Sequence, residues 1–430
     1  MTTEEYLEKG DLAAKNLDVE KALEFYTKAI EENPRSSFAF FKRASLLAKA
    51  KMLNEALSDI NSCLVLNPEF SFAYFKRGVV YQLMKQFKKS LDDFNIAIEL
   101  NPEFSLAFFK RGYSYLLLKL FDKALEDLDR AIELNPAYPQ AYFQRGNTFF
   151  IQKDYSEAIS NYTRVIRLEP KNEKAYTSRG IAFSNEKNYK DSLNDFSRSL
   201  VINPEYIPAL LQRGLIYNKI RHFDSALKDF NYAIEINPKL ADGYNNRALT
   251  YFCLKEYDKA IADYEKALNL RPNSGNVYCN RGNAFYGLKK YKESMMDYDK
   301  ALSLNPKLEA AYLGKGNIFA SIGRHSEAIK NFTRAITINP KFIQAYIGRG
   351  NVFMKMKYFL KALEDFTLAI EINPDHAFAY LYRGIAFRSE DRYDLAGKDF
   401  NEFLRLHKMK DQANMQVRKW LRKMDMEPMY

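Results

Sequence analysis

The side chains best equipped for chemistry in this sequence are cations at a fixed spacing: Arg43, Arg77, Arg111, Arg145, Arg179, Arg213, Arg247, Arg281, Arg349 and Arg383, with Lys9 and Lys315 filling the two remaining places. A second series follows the first at a constant offset: Asp59, Asp93, Asp127, Asp195, Asp229, Asp263, Asp297, Asp365 and Asp399. A guanidinium fork meets a carboxylate through two parallel hydrogen bonds and suits other anions equally. The two series therefore read either as internal pairs, Arg77 with Asp93 and Arg111 with Asp127 among them, or as a row of cations facing an anionic ligand. Three places in the second series hold Phe25, Asn161 and Asn331 instead of Asp, and both lysines of the first series belong to that set. This coincidence favours internal pairs, with Arg kept where a carboxylate is there to grip.

Aromatic and basic residues stand beside the first arginines. The triplet Phe-Lys-Arg recurs as Phe41-Lys42-Arg43, Phe75-Lys76-Arg77 and Phe109-Lys110-Arg111, with Phe38, Phe72 and Leu106 shortly ahead of each Phe and Phe143 in the next place along. Such a strip offers apolar anchors to a protein partner, each worth roughly 1.5–3 kcal/mol if fully covered. It also offers stacking rings and phosphate contacts to single-stranded RNA, and rings at helical spacing serve equally as packing between helices. Farther along, the corresponding surface holds Asn245, Asn246, Asn276, Asn280 and Asn283, then Asn317 and Asn351 beside Gly314 and Gly348, which open it. Asn both donates and accepts, so a ladder of them can hold a peptide backbone whatever its sequence.

Other chemistry is missing from the sequence. His222, His325, His376 and His407 are isolated, and Cys63, Cys253 and Cys279 match neither a disulfide framework nor metal-ligand spacing. Glycines occur singly and build no phosphate loop. We expect no enzyme, no metal and no cofactor. The polar start Met1-Thr2-Thr3-Glu4-Glu5 does not resemble a secretion signal, and no stretch approaches the roughly 20 apolar residues that span a bilayer. A reducing cytoplasm is the expected location. The net charge of +11 is uneven: residues 1–34 hold nine acids and four bases, residues 405–430 three acids and seven bases. Opposite ends of this kind permit weak head-to-tail association that salt screens.

The elements that position these residues follow from one period. Eleven of the 14 prolines, from Pro34 through Pro68 and Pro102 to Pro374, recur at a single constant interval, that from Pro34 to Pro68. Placing the proline thirty-second gives twelve units that begin at Thr3, Ser37, Ser71 and so on to Ala377, the last with Lys408 in its place. In the third unit Tyr74, Phe75, Gly78, Tyr81 and Leu83, then Phe87, Leu91, Phe94, Ala97 and Ile98, fall on helical periods. Each unit is thus a pair of antiparallel helices, A and B. Proline pushes the residue before it out of the α region, so helix B stops at the Asn of each Ile/Leu-Asn-Pro and helix A of the next unit starts immediately after. Small residues at the eighth position (Gly78, Gly112, Gly146, Ala248) and the twentieth (Ala56, Ser90, Ala124, Ser192) let the helices cross closely, and aromatics such as Phe149, Tyr155 and Tyr162 fill the space. A fixed repeat of this length predicts an all-α stacked array in which each pair buries its apolar face against its neighbours.

The order Tyr142, Gly146, Phe149, Ala158, Tyr162, Val165 and Glu169-Pro170 resembles the tetratricopeptide repeat family, and the resemblance covers about residues 3–410. It implies a right-handed α-solenoid superhelix whose A helices line a concave groove for extended peptides or partner helices. The second, fifth, ninth, twelfth and thirteenth positions would face that groove; together with sixth-position residues beside them, this makes Phe38, Phe41, Lys42, Phe72, Phe75, Lys76, Leu106, Phe109, Lys110, Phe143, Asn246, Asn280, Asn283, Asn317 and Asn351 the candidate partner-binding residues. The family usually has Leu at the seventh position, where this chain has its Arg series. The clamp by which some family members grip a chaperone's terminal carboxylate needs Lys at the fifth position and Asn at the ninth; here Asn147 and Asn283 follow Phe143 and Cys279. Function is expected to be that of a protein-binding scaffold or adaptor, with RNA binding as the alternative. From Lys410 to Met424 a basic amphipathic helix, with Ala413, Val417, Trp420, Leu421 and Met424 on one face, is expected to cap the array as a separate element over 411–430.

Overall fold

The computed structural model describes residues 1–409, 411–424, 426 and 428; Lys410 lies outside them. Among the described residues there are 25 helices and no strand. The repeats share one plan, with an A helix of 13 residues, as in Ser71–Leu83, and a B helix of 14 residues, as in Phe87–Leu100. The residues group into two compact units, Met1–Arg213 and Gly214–Tyr430, whose boundary falls inside the A helix Ile207–Lys219.

Helix ends have local causes. Asn101 closes Phe87–Leu100 in an extended conformation, and its side-chain oxygen accepts the Glu103 N–H at 3.1 Å. The same turn forms at Asn33, Asn67, Asn135, Asn203, Asn237, Asn305, Asn339 and Asn373. It places two residues between the proline and the next A helix, which therefore starts later than proline alone suggests. Between A and B, one residue turns left-handed: Lys85 and Lys119 at φ 60°, with glycine used only at Gly323. The Leu120 N–H closes this turn on the Tyr115 carbonyl at 2.9 Å. A cation at this spot also lies at the negative end of the A-helix dipole.

Within a repeat, the ring at the twenty-fourth position lies on the small residue at the eighth. A Cβ at Gly78 would stand 2.7 Å from the Phe94 ring, and one at Gly180 2.7 Å from Phe196. Both rings are fully buried. Between repeats, Phe75, Ala97, Phe104 and Ala107 join in one core, and the A helices Ser71–Leu83 and Ser105–Leu117 touch directly. At the C-terminal end, Asp411 caps the helix Gln412–Lys423, and Val417, Trp420 and Leu421 pack on Phe400, Phe403 and Leu404 of the last repeat. Lys419, Arg422 and Lys423 flank this packed face on the same helix.

Candidate functional site

The cation series is occupied within the fold. Arg111 grips Asp127 with two bonds, Nε to Oδ2 at 2.8 Å and Nη2 to Oδ1 at 2.6 Å. Arg77 does the same with Asp93, and Arg43, Arg179, Arg247, Arg281, Arg349 and Arg383 each do so with the Asp of their own B helix. Each of these carboxylates is buried. Burial pushes the Asp127 carboxyl up and the Arg111 fork opposes that shift, while the guanidinium stays the cation. The ladder also has a third partner that sequence reasoning missed. Arg111 Nη1 donates to Asn95 on the preceding B helix at 2.8 Å, and Arg77 likewise to Asn61. These arginines therefore tie their own helix pair to the one before.

This third partner explains two of the three exceptions. Arg145 has only Asn161 ahead of it, at 2.7 Å, and takes its carboxylate from Asp129 behind, at 2.5 Å. Lys315 likewise pairs with Asp299 at 2.6 Å. A signal existed in the sequence: Asp129 and Asp299 precede Asn161 and Asn331, the two asparagines that replace Asp, by the same interval.

With the ladder consumed internally, the free face of each A helix is set by the second, sixth, ninth and thirteenth positions. Steps of four, three and four residues keep these on one stripe. In the first unit the stripe reads Phe72, Lys76, Val79, Leu83 on Ser71–Leu83 and Leu106, Lys110, Tyr113, Leu117 on Ser105–Leu117. Phe38 and Phe72 are 46% and 48% exposed, and Leu106, Leu83, Leu117 and Ile151 are exposed with them. Leu117 and Ile151 were not singled out from sequence, and Leu83 only as part of its helix's apolar period. Phe75 and Phe109, by contrast, are buried, as rings that pack between helices and not as exposed anchors for a partner. Phe75 lies between the linker residue Phe104, at 4.9 Å between centroids, and Phe94 of its own B helix, at 5.9 Å, and Tyr138 covers Phe109 at 5.0 Å. Phe41 and Phe143 are half-buried against Phe70 and Tyr162.

The three lysines of the strip also separate. Lys42 is held by Asp11 at 2.8 Å. Lys76 and Lys110 are half-buried and have no ion-pair partner among the described residues; burial lowers both ammonium pKa values, and nearby Lys49 lowers that of Lys76 further.

On three consecutive A helices of the second unit the same stripe is polar and small: Asn276, Asn280, Asn283, Gly287, then Ala310, Gly314, Asn317, Ser321, then Gln344, Gly348, Asn351, Lys355; on its last A helix the stripe is again apolar, with Phe378 exposed. Its asparagines are of two kinds. Asn283 accepts the Tyr298 hydroxyl at 2.7 Å, as Asn147 accepts that of Tyr162 at 2.8 Å. Asn317 and Asn351 sit opposite Phe332 and Phe366, which have no hydroxyl, and with Asn280 make no side-chain hydrogen bond among the described residues. Asn246 accepts from Asn245 at 3.3 Å. Gly314 and Gly348 do not open the surface. Tyr298 fills the space at Gly314, and a Cβ at Gly348 would stand 2.8 Å from the Phe332 ring.

Cys63 and Cys279 are buried, which pushes their thiols up to about 11 and about 12, away from the reactive thiolate. Among the described residues no group of His, Cys, Asp and Glu side chains is arranged to hold a metal ion, and no helix is long and apolar enough to cross a membrane.

Tetratricopeptide repeat models match residues 71–172 and 241–308, and 207–240 and 343–376, and a TPR repeat model matches 316–357. No curated protein matches the chain. Among solved structures, a chain of the APC/C hetero-tetramer Cut9–Hcn1 is similar over 97% of this chain and 96% of its own, at 14% identity and a TM-score of 0.52. Yeast Tom70 is similar over 98% and 95%, at 15% identity and 0.52. A tetratricopeptide repeat protein from Parabacteroides merdae covers 58% of this chain and 98% of its own, at 19% identity and 0.52. These likenesses concern the fold, an α-solenoid of helix pairs.

Proposed function

Because the chain belongs to the tetratricopeptide repeat family, we propose that it is a non-catalytic adaptor of the cytoplasm that holds segments of partner proteins along the groove lined by its A helices. The observation that carries this reading is the first unit's stripe, where Phe38, Phe72 and Leu106 stay exposed beside the ammoniums of Lys76 and Lys110, which have no acid to pair with among the described residues. Packing explains neither feature fully: Phe72 touches Phe104 with one side and still leaves about half of its surface to solvent, and a half-buried cation with no carboxylate to pair with costs stability. The unbonded amides of Asn280, Asn317 and Asn351 suit contact with a peptide backbone.

A crosslinking pull-down from lysate tests this, comparing the intact chain with Phe38→Ser/Phe72→Ser, each with and without ribonuclease. Both rings are exposed, so the variant should keep its helical circular dichroism and lose its protein partners. Ribonuclease-sensitive recovery with protein partners unchanged in the variant would instead establish RNA as the ligand.

A further inference from the structure

The free face of the first unit is wider than one extended peptide requires. On both Ser71–Leu83 and Ser105–Leu117 the second and thirteenth positions lie about 16 Å apart along the helix axis, at about 1.5 Å per residue. Both ends are apolar and exposed, with Phe72 and Leu83 on one helix and Leu106 and Leu117 on the next. Between these two rows stand Lys76 and Lys110. A strand crossing the A helices occupies a track of only about 4.8 Å and meets one row. An α-helix, about 10–12 Å across with its side chains, fills most of that width and, seated between the rows, meets the side chains that lean in from both.

We infer that this face docks an amphipathic helix of a protein partner, laid across the two A helices, with apolar side chains on both rows and Asp or Glu carboxylates directed at Lys76 and Lys110. The inference rests on the groove reading above and adds the partner's conformation and charge. Charge complementarity selects the carboxylate. Lys42, in the same place one repeat earlier, is already neutralised by Asp11, whereas Lys76 and Lys110 meet no acid among the described residues and Lys49 adds a like charge near Lys76. An incoming carboxylate relieves that imbalance; an amide relieves it only in part, and a cation worsens it. RNA fits less well. Two of the candidate stacking rings are covered by Phe104 and Tyr138, and aliphatic Leu83, Leu106 and Leu117 give bases no π-face to stack on.

The test uses the full chain and fluorescein-labelled synthetic helices of about 18 residues, about 27 Å long, read by fluorescence anisotropy. Leucines line one face, and the centre of that face carries Glu, Gln or Lys; a fourth peptide repeats the Glu version with two prolines inside. The Glu helix should bind about tenfold tighter than the Gln helix, the equivalent of one charge-assisted contact, and about tenfold tighter than its proline-broken form. Lys76→Met/Lys110→Met should erase the preference for Glu without lowering the thermal melt. Leu83→Ser/Leu117→Ser, at exposed positions, should weaken every helix. Equal binding of Glu and Gln helices overturns the acidic partner, and equal binding of intact and broken peptides overturns the helix; either leaves the groove reading standing. Failure of all four peptides, with salt-sensitive binding of polyuridylate, overturns both.

Discussion

At the sixth position of its A helices the first unit carries Lys76 and Lys110, and the second carries Gly314 and Gly348. The backbone around them is alike, with A helices of equal length and the same Arg–Asp grip at the seventh position, Arg111 with Asp127 in one unit and Arg349 with Asp365 in the other. What differs is the sixth residue itself, since the B helix ahead of Lys110 presents Phe94 at the place that Phe332 holds ahead of Gly348. In the second unit Tyr298 and Phe332 press on the glycines and leave a polar stripe of asparagines; in the first, long cationic side chains lie half-buried between exposed apolar rows. One scaffold thus presents two surfaces of different chemistry. The ladder that holds the repeats together is independent of the face that can bind.

That separation can be broken at the ladder. Arg111→Leu in the first unit and Arg281→Leu in the second each strand a buried carboxylate, and each should cost about 3–5 kcal/mol in urea melts. Equal losses establish a common structural role. An unchanged melt for Arg111→Leu, with peptide binding gone, would assign the first unit's arginines to the face instead.

A smaller effect is expected at the sixth position itself. Gly314→Ala drives a methyl into the Tyr298 ring and should cost about 1–3 kcal/mol, whereas Lys110→Ala, in the other unit, should change stability by no more than about 0.5 kcal/mol. Matching costs in thermal melts would show that the two faces are built alike after all.

The smallest effect has the opposite sign. Burial lowers the Lys76 and Lys110 pKa values in the fold, so the charged forms disfavour folding below the folded pKa, and the penalty fades as pH rises toward the ordinary 10.5. Lys76→Met/Lys110→Met should therefore gain about 0.5 kcal/mol at about pH 7 and lose that gain as the pH approaches that ordinary value. A gain that persists at high pH would mean that added apolar packing, not removal of a desolvated charge, stabilises the variant.

Much of the site's framework is legible in the residues. The match of Lys315 with a missing Asp at Asn331 points to pairing between the seventh and twenty-third positions, but Asp299, which supplies the carboxylate, lies on the helix before and belongs to another repeat. The Phe stripe looks uniform in sequence and is not. Phe72 is exposed and Phe75 is buried although Phe104, from the linker ahead of the next A helix, touches both, at 4.6 and 4.9 Å between centroids; Phe75 alone of the two also packs on Phe94 of its own B helix. Asn283 and Asn317 look equivalent until the facing position on the B helix is read, Tyr298 with a hydroxyl for one and Phe332 without it for the other.

The sequence by itself determined the twelve helix pairs and where they end, since proline, the asparagine before it and the small residue at the eighth position act on their own backbone or their own helix pair. Tertiary structure alone decided which rings reach solvent, which cations remain unpaired and that Arg145 and Lys315 take their carboxylates from the helix before. Those outcomes depend on how side chains distant in sequence converge, several of them across repeats, as Asp129 meets Arg145 and Asp299 meets Lys315.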